Sequence, residues 1–201
     1  MAFPELLAES FRRTATCACM GLDPVPSALP SGEKSLRPRV VDFFGELFDR
    51  MLREGAVPAA FKPNVGFFHV HDRPLEDDYA GSQALADVIR MVRESFPGVP
   101  LILDAKRGDI AGSSANYAAE AFAVWKADAV TVHPFMGDDS IEPFCEKALE
   151  TGGGVYVLNR TSNPGAVRFQ NLEVRRGASS SEGAPLETGD ILRVHAATPN
   201  T

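Results

Sequence analysis

The sequence predicts an α/β protein on parallel strands, a pattern that an open doubly wound sheet and a (β/α)8 barrel both satisfy. Five short apolar runs alternate with longer stretches whose apolar residues recur at helical spacing. Strict alternation of strand and helix implies parallel strands joined by right-handed crossovers. Charged residues also gather where the apolar runs end, which is where parallel α/β folds bind ligands. No G-x-G-x-x-G follows the first run, and this weakens a dinucleotide-binding version.

The elements follow in order. Residues 15–22 (ATCACMGL) read as a first strand that stops at Asp23-Pro24. Between Leu36 and Arg53, Val40, Val41, Phe43, Phe44, Leu47, Phe48, Met51 and Leu52 recur at helical spacing, and Gly55 closes the helix. A second strand at 57–62 runs into Pro63-Asn64. A helix over 82–96 presents Leu85, Val88, Ile89 and Val92 on one face and ends at Pro97-Gly98. Residues 99–104 (VPLILD) form the clearest strand. An alanine-rich helix over 113–126 precedes a fourth strand at 129–133. A helix over 141–149 stops at Gly152-Gly153-Gly154, before a fifth strand at 155–158. From 175 to 190 the chain is polar, rich in Gly and Ser and without period, and 191–195 is at best a short sixth strand. The expected organisation is a barrel-type domain over 1–174 and a divergent polar tail over 175–201.

Composition bounds the function. The chain has 201 residues, enough for one domain, and 44% are apolar and 23% charged, enough for a packed core. A net charge of −7 argues against a nucleic-acid partner. No apolar run is long enough to span a membrane, and the first 14 residues carry charges where a secretory leader needs an apolar centre. Three cysteines, Cys17, Cys19 and Cys145, do not make a disulfide framework, so a reducing cytoplasmic setting is expected.

The chemistry centres on Asp104-Ala105-Lys106-Arg107-Gly108-Asp109-Ile110. Asp104 and Lys106 are two apart and face the same side of an extended strand, together with Ile102. Leu101, Leu103 and Ala105 face the other way, toward helices. With Lys62 from the neighbouring strand and Asp109 three residues beyond Lys106, an alternating Lys-Asp-Lys-Asp array is expected. Each charge there needs opposite neighbours. Elsewhere the readings are structural. Cys17 and Cys19 read as small buried thiols, since a metal site needs further ligands. His69 and His71 lack a partner at a telling spacing, and His133 reads as a structural histidine. Ser113 and Ser114 read as helix caps, with a ligand contact by one of them as the alternative. Tyr117 and Trp125 read as core or dimer packing, and Arg175-Arg176 as a solvated loop.

The heptapeptide from Asp104 resembles the signature of the orotidine 5′-phosphate decarboxylase family, in the bacterial type that reads DAKRGDI. Three further segments agree in order and spacing: Gly21-Leu22-Asp23-Pro24, Phe61-Lys62-Pro63-Asn64 and Thr161-Ser162-Asn163-Pro164-Gly165. The resemblance covers about residues 5–174. It implies a (β/α)8 TIM barrel that decarboxylates orotidine 5′-monophosphate to UMP, the last step of de novo UMP biosynthesis, in a cytoplasmic homodimer with neither metal nor organic cofactor. By the same resemblance Lys106 donates the proton to C6 of the pyrimidine, and Asp104 sits near the substrate carboxylate. Lys62 and Asp23 bind ribose hydroxyls, and Asp109 reaches the ribose of the partner subunit's ligand. Ser162, with Thr161 and Asn163, holds the pyrimidine edge. An ammonium beside a carbanion at C6 supplies both charge stabilisation and a proton, which supports the assignment independently.

A complete barrel needs about 250 residues. Five or six of the eight strands are recognisable, and the segments expected to carry the phosphate site are not. The chain is therefore expected to be a C-terminally truncated version of such an enzyme. The alternatives are a magnesium-dependent sugar-phosphate decarboxylase or aldolase of the same superfamily, or a non-catalytic fragment.

Overall fold

The computed structural model describes residues 1–30 and 35–171. The expected tail over 175–201, with its short strand at 191–195 and Arg175-Arg176, lies outside the described residues.

An amphipathic helix opens the chain, α1 (Phe3–Thr14). The sequence reading assigned no helix here, although Phe3, Leu7 and Ser10 keep helical spacing. The Glu5 carboxylate accepts the Ala2 N–H at 3.2 Å and closes the first turn. Ala15 (φ 51°) ends the helix in the left-handed region, which is why the first strand starts later than expected. That strand is β1 (Cys19–Leu22). Then come α2 (Leu36–Glu54), β2 (Ala60–Pro63), the single turn α3 (Gly66–His69) and α4 (Ala80–Ser95). The third strand, β3 (Ile102–Arg107), is shifted toward the C-terminus of its expected span, because Val99–Leu101 lead into the ladder rather than form it. The alanine-rich segment begins as α5 (Ala111–Ala119), two residues early, and continues as a π-helical turn over Glu120–Val124. The chain then forms β4 (Ala129–Val132), α6 (Glu142–Thr151), β5 (Gly154–Val157) and the short α7 (Val167–Gln170). Gly55 and Gly152 end α2 and α6 at φ 67° and 74°, where glycine avoids the Cβ penalty.

All paired strands are parallel. β1 pairs with β2, and β3 with β4 and β4 with β5. Bridges Phe61↔Leu101 and Asn64↔Asp104 join β2 to β3, so the order is β1-β2-β3-β4-β5. Among the described residues strand order thus follows chain order, with no switch point.

The two faces differ. Leu22, Phe61, Leu101, Leu103, Val130 and Val132 share one core with α2, α4, α5 and α6. Within it Phe48 lies edge-on to Phe61 and Phe96 at centroid distances of 5.6 and 5.3 Å, contacts worth about 0.5–1.5 kcal/mol each beyond burial. The opposite face is separate and small: Ala60, Ile102 and Ala129 pack on Phe3 and Leu7 of α1. Ser10 Oγ donates to the Ala59 carbonyl at 2.8 Å and ties α1 down. Helices on one face and a narrow second core plugged by a terminal helix are what part of a barrel requires. A doubly wound sheet would need helices on both faces.

Two expectations fail here. Cys17 and Cys19 are exposed rather than buried, as is Cys145, for which no burial was expected. Cys17 precedes β1, Cys19 lies on the inner side above the small core, and Cys145 is on the outer surface of α6. Ser113 and Ser114 are not caps but lie inside α5, where the Ser114 Oγ donates back to the Asp109 carbonyl at 2.6 Å.

Gly81 permits a close approach. A Cβ there would stand 2.0 Å from the Phe68 carbonyl oxygen, a backbone atom that cannot rotate away. In α2, by contrast, a Cβ at Gly45 would meet only the Met91 methyl at 3.5 Å. Gly81→Ala is expected to lower unfolding stability by about 1–3 kcal/mol, and Gly45→Ala to raise it by roughly 0.5–1 kcal/mol. Urea unfolding midpoints check both, and a Gly81→Ala protein as stable as the wild type would contradict the packing.

Candidate active site

At the carboxyl ends of β2, β3 and β4, one carboxylate collects three donors. Asp104 is 4% exposed. Its Oδ2 accepts Lys62 Nζ at 2.8 Å from β2, and its Oδ1 accepts Lys106 Nζ at 2.6 Å from its own strand. Thr131 Oγ1 of β4 donates to the same Oδ1 at 2.8 Å and accepts the Lys106 N–H at 3.0 Å. The two ammoniums remain partly open, with Lys62 side-chain exposure at 32% and Lys106 at 48%. Two ammoniums meet one buried carboxylate, and the charge of Asp23 also acts on Lys62.

The local backbone explains the aim of Lys106. Leu103 pairs with Val130 but Arg107 with Val132, so β3 bulges over Asp104–Lys106. Lys106 sits at φ 47°, in the left-handed region. The bulge keeps Asp104 and Lys106 on the inner side with Ile102, while Leu101 and Leu103 pack on helices, as the alternation predicts.

The electrostatics follow from the geometry. Burial alone would push the Asp104 carboxyl up. The hydrogen bonds from Lys106, Lys62 and Thr131 outweigh it and hold the carboxyl below the usual carboxylate range. For Lys62, desolvation pulls the ammonium down, but its hydrogen bond to Asp104 and the charges of Asp104 and Asp23 win and raise its pKa.

The other expected site residues are placed differently. Asp23 ends β1 and accepts the Asn64 N–H at 3.1 Å, beside Lys62. Asp109 does not join the lysine array. Its Oδ1 accepts the N–H of the next residue, Ile110, at 2.7 Å, and Ser114 holds its carbonyl, so the carboxylate is turned onto its own loop. Thr161 and Asn163 bond each other at 2.6 Å, and Gln170 closes their loop through the Thr161 N–H and hydroxyl. Their hydrogen bonds stay within 161–170, and exposed Ser162 lies between them. Thr161, Asn163 and Gln170 line an open cavity of about 690 Å³. His133 packs its ring on Gly108, where a Cβ would stand 2.4 Å from Cε1 and Nε2, which accounts for glycine in that position of the heptapeptide. His69 stacks on Trp125 at 6.0 Å. Among the described residues no group of three or more His, Cys, Asp and Glu side chains is arranged to hold a metal.

Thr131 is the residue that sequence reasoning missed. The signal was present: it lies between Ala129 and His133, a hydroxyl on the inner alternation of an apolar strand.

The model of the orotidine 5′-phosphate decarboxylase / HUMPS family matches residues 41–183. The orotidine 5′-phosphate decarboxylase of Cupriavidus metallidurans is 40% identical over 174 residues, covering 87% of this chain and 59% of the relative. That of Paracidovorax citrulli is 38% identical over 193 residues, covering 96% and 64%. The solved structure of Leishmania donovani OMP decarboxylase superposes with a TM-score of 0.68 at 35% identity, covering 89% of this chain and 60% of that one. The chain thus spans about three fifths of the length of these relatives.

The pKa shifts carry a sign. A lowered folded-state pKa for Asp104 contributes stability that is complete above the unfolded value of about 3.9 and is lost as pH falls through the folded value. Raised, that of Lys62 contributes stability complete below about 10.4 and lost as pH rises through the folded value. Asp104→Asn is expected to cost roughly 1–3 kcal/mol at neutral pH, less than a fully buried pair because both lysines touch water. Urea unfolding from neutral pH into acid checks this: the gap between wild type and Asp104→Asn should close in acid, and a constant gap would refute it.

Proposed function

Since the chain belongs to the orotidine 5′-phosphate decarboxylase / HUMPS family, we propose that it acts on orotidine 5′-monophosphate, releasing carbon dioxide to leave UMP. The observation that carries this reading is the Asp104 carboxylate held between two ammoniums at the strand ends.

In the proposed reaction the substrate carboxylate lies beside Asp104. Two like charges in a site of low dielectric repel, and departure of carbon dioxide removes one of them. The C6–carboxylate bond breaks and its electron pair stays on C6. Lys106 Nζ stabilises that pair as an ammonium and then transfers its proton to C6, becoming an amine that water reprotonates. Lys62 and Asp23 bind the ribose hydroxyls. Thr161, Ser162 and Asn163 hydrogen-bond the pyrimidine edge. Asp109, turned away from the lysines, serves the ribose of a ligand in a partner subunit, so the working form is a homodimer. The reaction is that of a cytoplasmic biosynthetic enzyme and uses neither metal nor organic cofactor. No described helix is long and apolar enough to cross a membrane.

Decarboxylation of orotidine 5′-monophosphate by the purified chain tests the reading, with EDTA present throughout. Turnover that persists in EDTA and falls by about 10³-fold or more in Lys106→Ala is expected. Absence of turnover in the wild type, or a Lys106→Ala variant of equal activity, would overturn it.

A further inference from the structure

Three backbone and side-chain irregularities meet on the outer side of β3, behind the reacting lysine. β3 bulges against β4 over Asp104–Lys106. Lys106 itself takes φ 47°, a conformation that side chains other than glycine rarely adopt unless their surroundings impose it. The helix after the signature breaks its α pattern at Glu120, where the Trp125 N–H donates to the Glu120 carbonyl at 3.0 Å in a π turn.

Arg107 links all three. Its backbone ends the bulge, because the Arg107 carbonyl accepts the His133 N–H at 2.9 Å and the ladder resumes there. Its side chain points away from Asp104, and its Nη2 lies 3.2 Å from Glu120 Oε2. The guanidinium also covers the Tyr117 ring at 4.7 Å. Both partners of the ion pair are largely removed from water, at 29% exposure each. Arg107 Nε is buried and donates to nothing among the described residues, an exception to the rule that buried polar groups are hydrogen-bonded. Glu120 is the first residue of the π turn, and its carboxylate meets the guanidinium of the residue that ends the bulge.

We propose that Arg107 and Glu120 form a positioning pair for Lys106: their ion pair, seated on Tyr117, locks the β3 bulge and so directs the Lys106 ammonium at Asp104 and the reacting carbon. This deepens the decarboxylase reading and rests on it for its kinetic consequence. Neither residue touches the substrate. Both act through the strand backbone.

The test uses the full chain with isotope-labelled lysine. The Lys106 side-chain resonance is assigned by its loss in Lys106→Ala. In Arg107→Met and in the near-isosteric Glu120→Gln, that resonance is expected to move toward the position of a free lysine ammonium. Decarboxylation kcat is expected to fall about 10–100-fold with KM changed less than about threefold, the signature of lost positioning rather than lost binding. Glu150→Gln, which removes the exposed ion pair with Lys147 on α6, should move neither reading. A merely structural role would lower the urea midpoint and leave the Lys106 resonance in place. An unmoved resonance in both variants overturns the proposal, as does a moved resonance with kcat unchanged, or a rise in KM with kcat held. If the wild type shows no turnover, the decarboxylase reading fails, and the resonance alone decides whether Arg107 and Glu120 position Lys106.

Discussion

A carboxylate taken out of water must find its hydrogen bonds inside the protein, or it does not stay charged. Asp104 finds three, and they come from three strands: Lys62 on β2, Lys106 on β3 and Thr131 on β4. That requirement constrains the sheet. A one-residue slip of β2 or β4 would turn Lys62 or Thr131 to the outer face and leave the carboxylate short of a donor. Register, face alternation and site chemistry therefore depend on one another. The bridge Asn64↔Asp104, which joins β2 to β3 at the level of the cluster, is part of the same constraint.

The rest of the fold keeps that face dry below and open above. The large core on the outer side, dominated by phenylalanine and branched aliphatic side chains, binds the crossover helices to the sheet. On the inner side, Ala60, Ile102 and Ala129 leave a narrow space that Phe3 and Leu7 fill from below. Small strand residues and one aromatic plug close that end, so the charges at the other end have an apolar floor. Low dielectric strengthens the Asp104 interactions and also sharpens any repulsion between Asp104 and a second carboxylate.

Several departures from regular geometry lie around the cluster. The bulge, the left-handed Lys106, the glycine that admits the His133 ring and the π turn at Glu120 all lie within one strand, its following loop and its helix. The outer helices α2 and α4 are regular and end where glycine or local sequence stops them.

Much of this was legible in the sequence. Alternation placed Ile102, Asp104 and Lys106 on one face and Leu101 and Leu103 on the other, because the period of an extended strand is a local property of the backbone. Gly55 and Gly152 marked helix ends for an equally local reason, their freedom at positive φ. The heptapeptide and its three companion segments pointed to the family. Tertiary structure decided what depends on residues far apart in the chain. It docked α1 as the inner plug, and it made Thr131 the third donor to Asp104. It turned Asp109 onto its own loop, and it left Cys17 and Cys19 exposed. Propensity and periodicity describe neighbours along the chain, whereas the partner of a buried charge is whichever side chain the sheet register brings opposite, 27 residues away for Thr131 and 42 for Lys62.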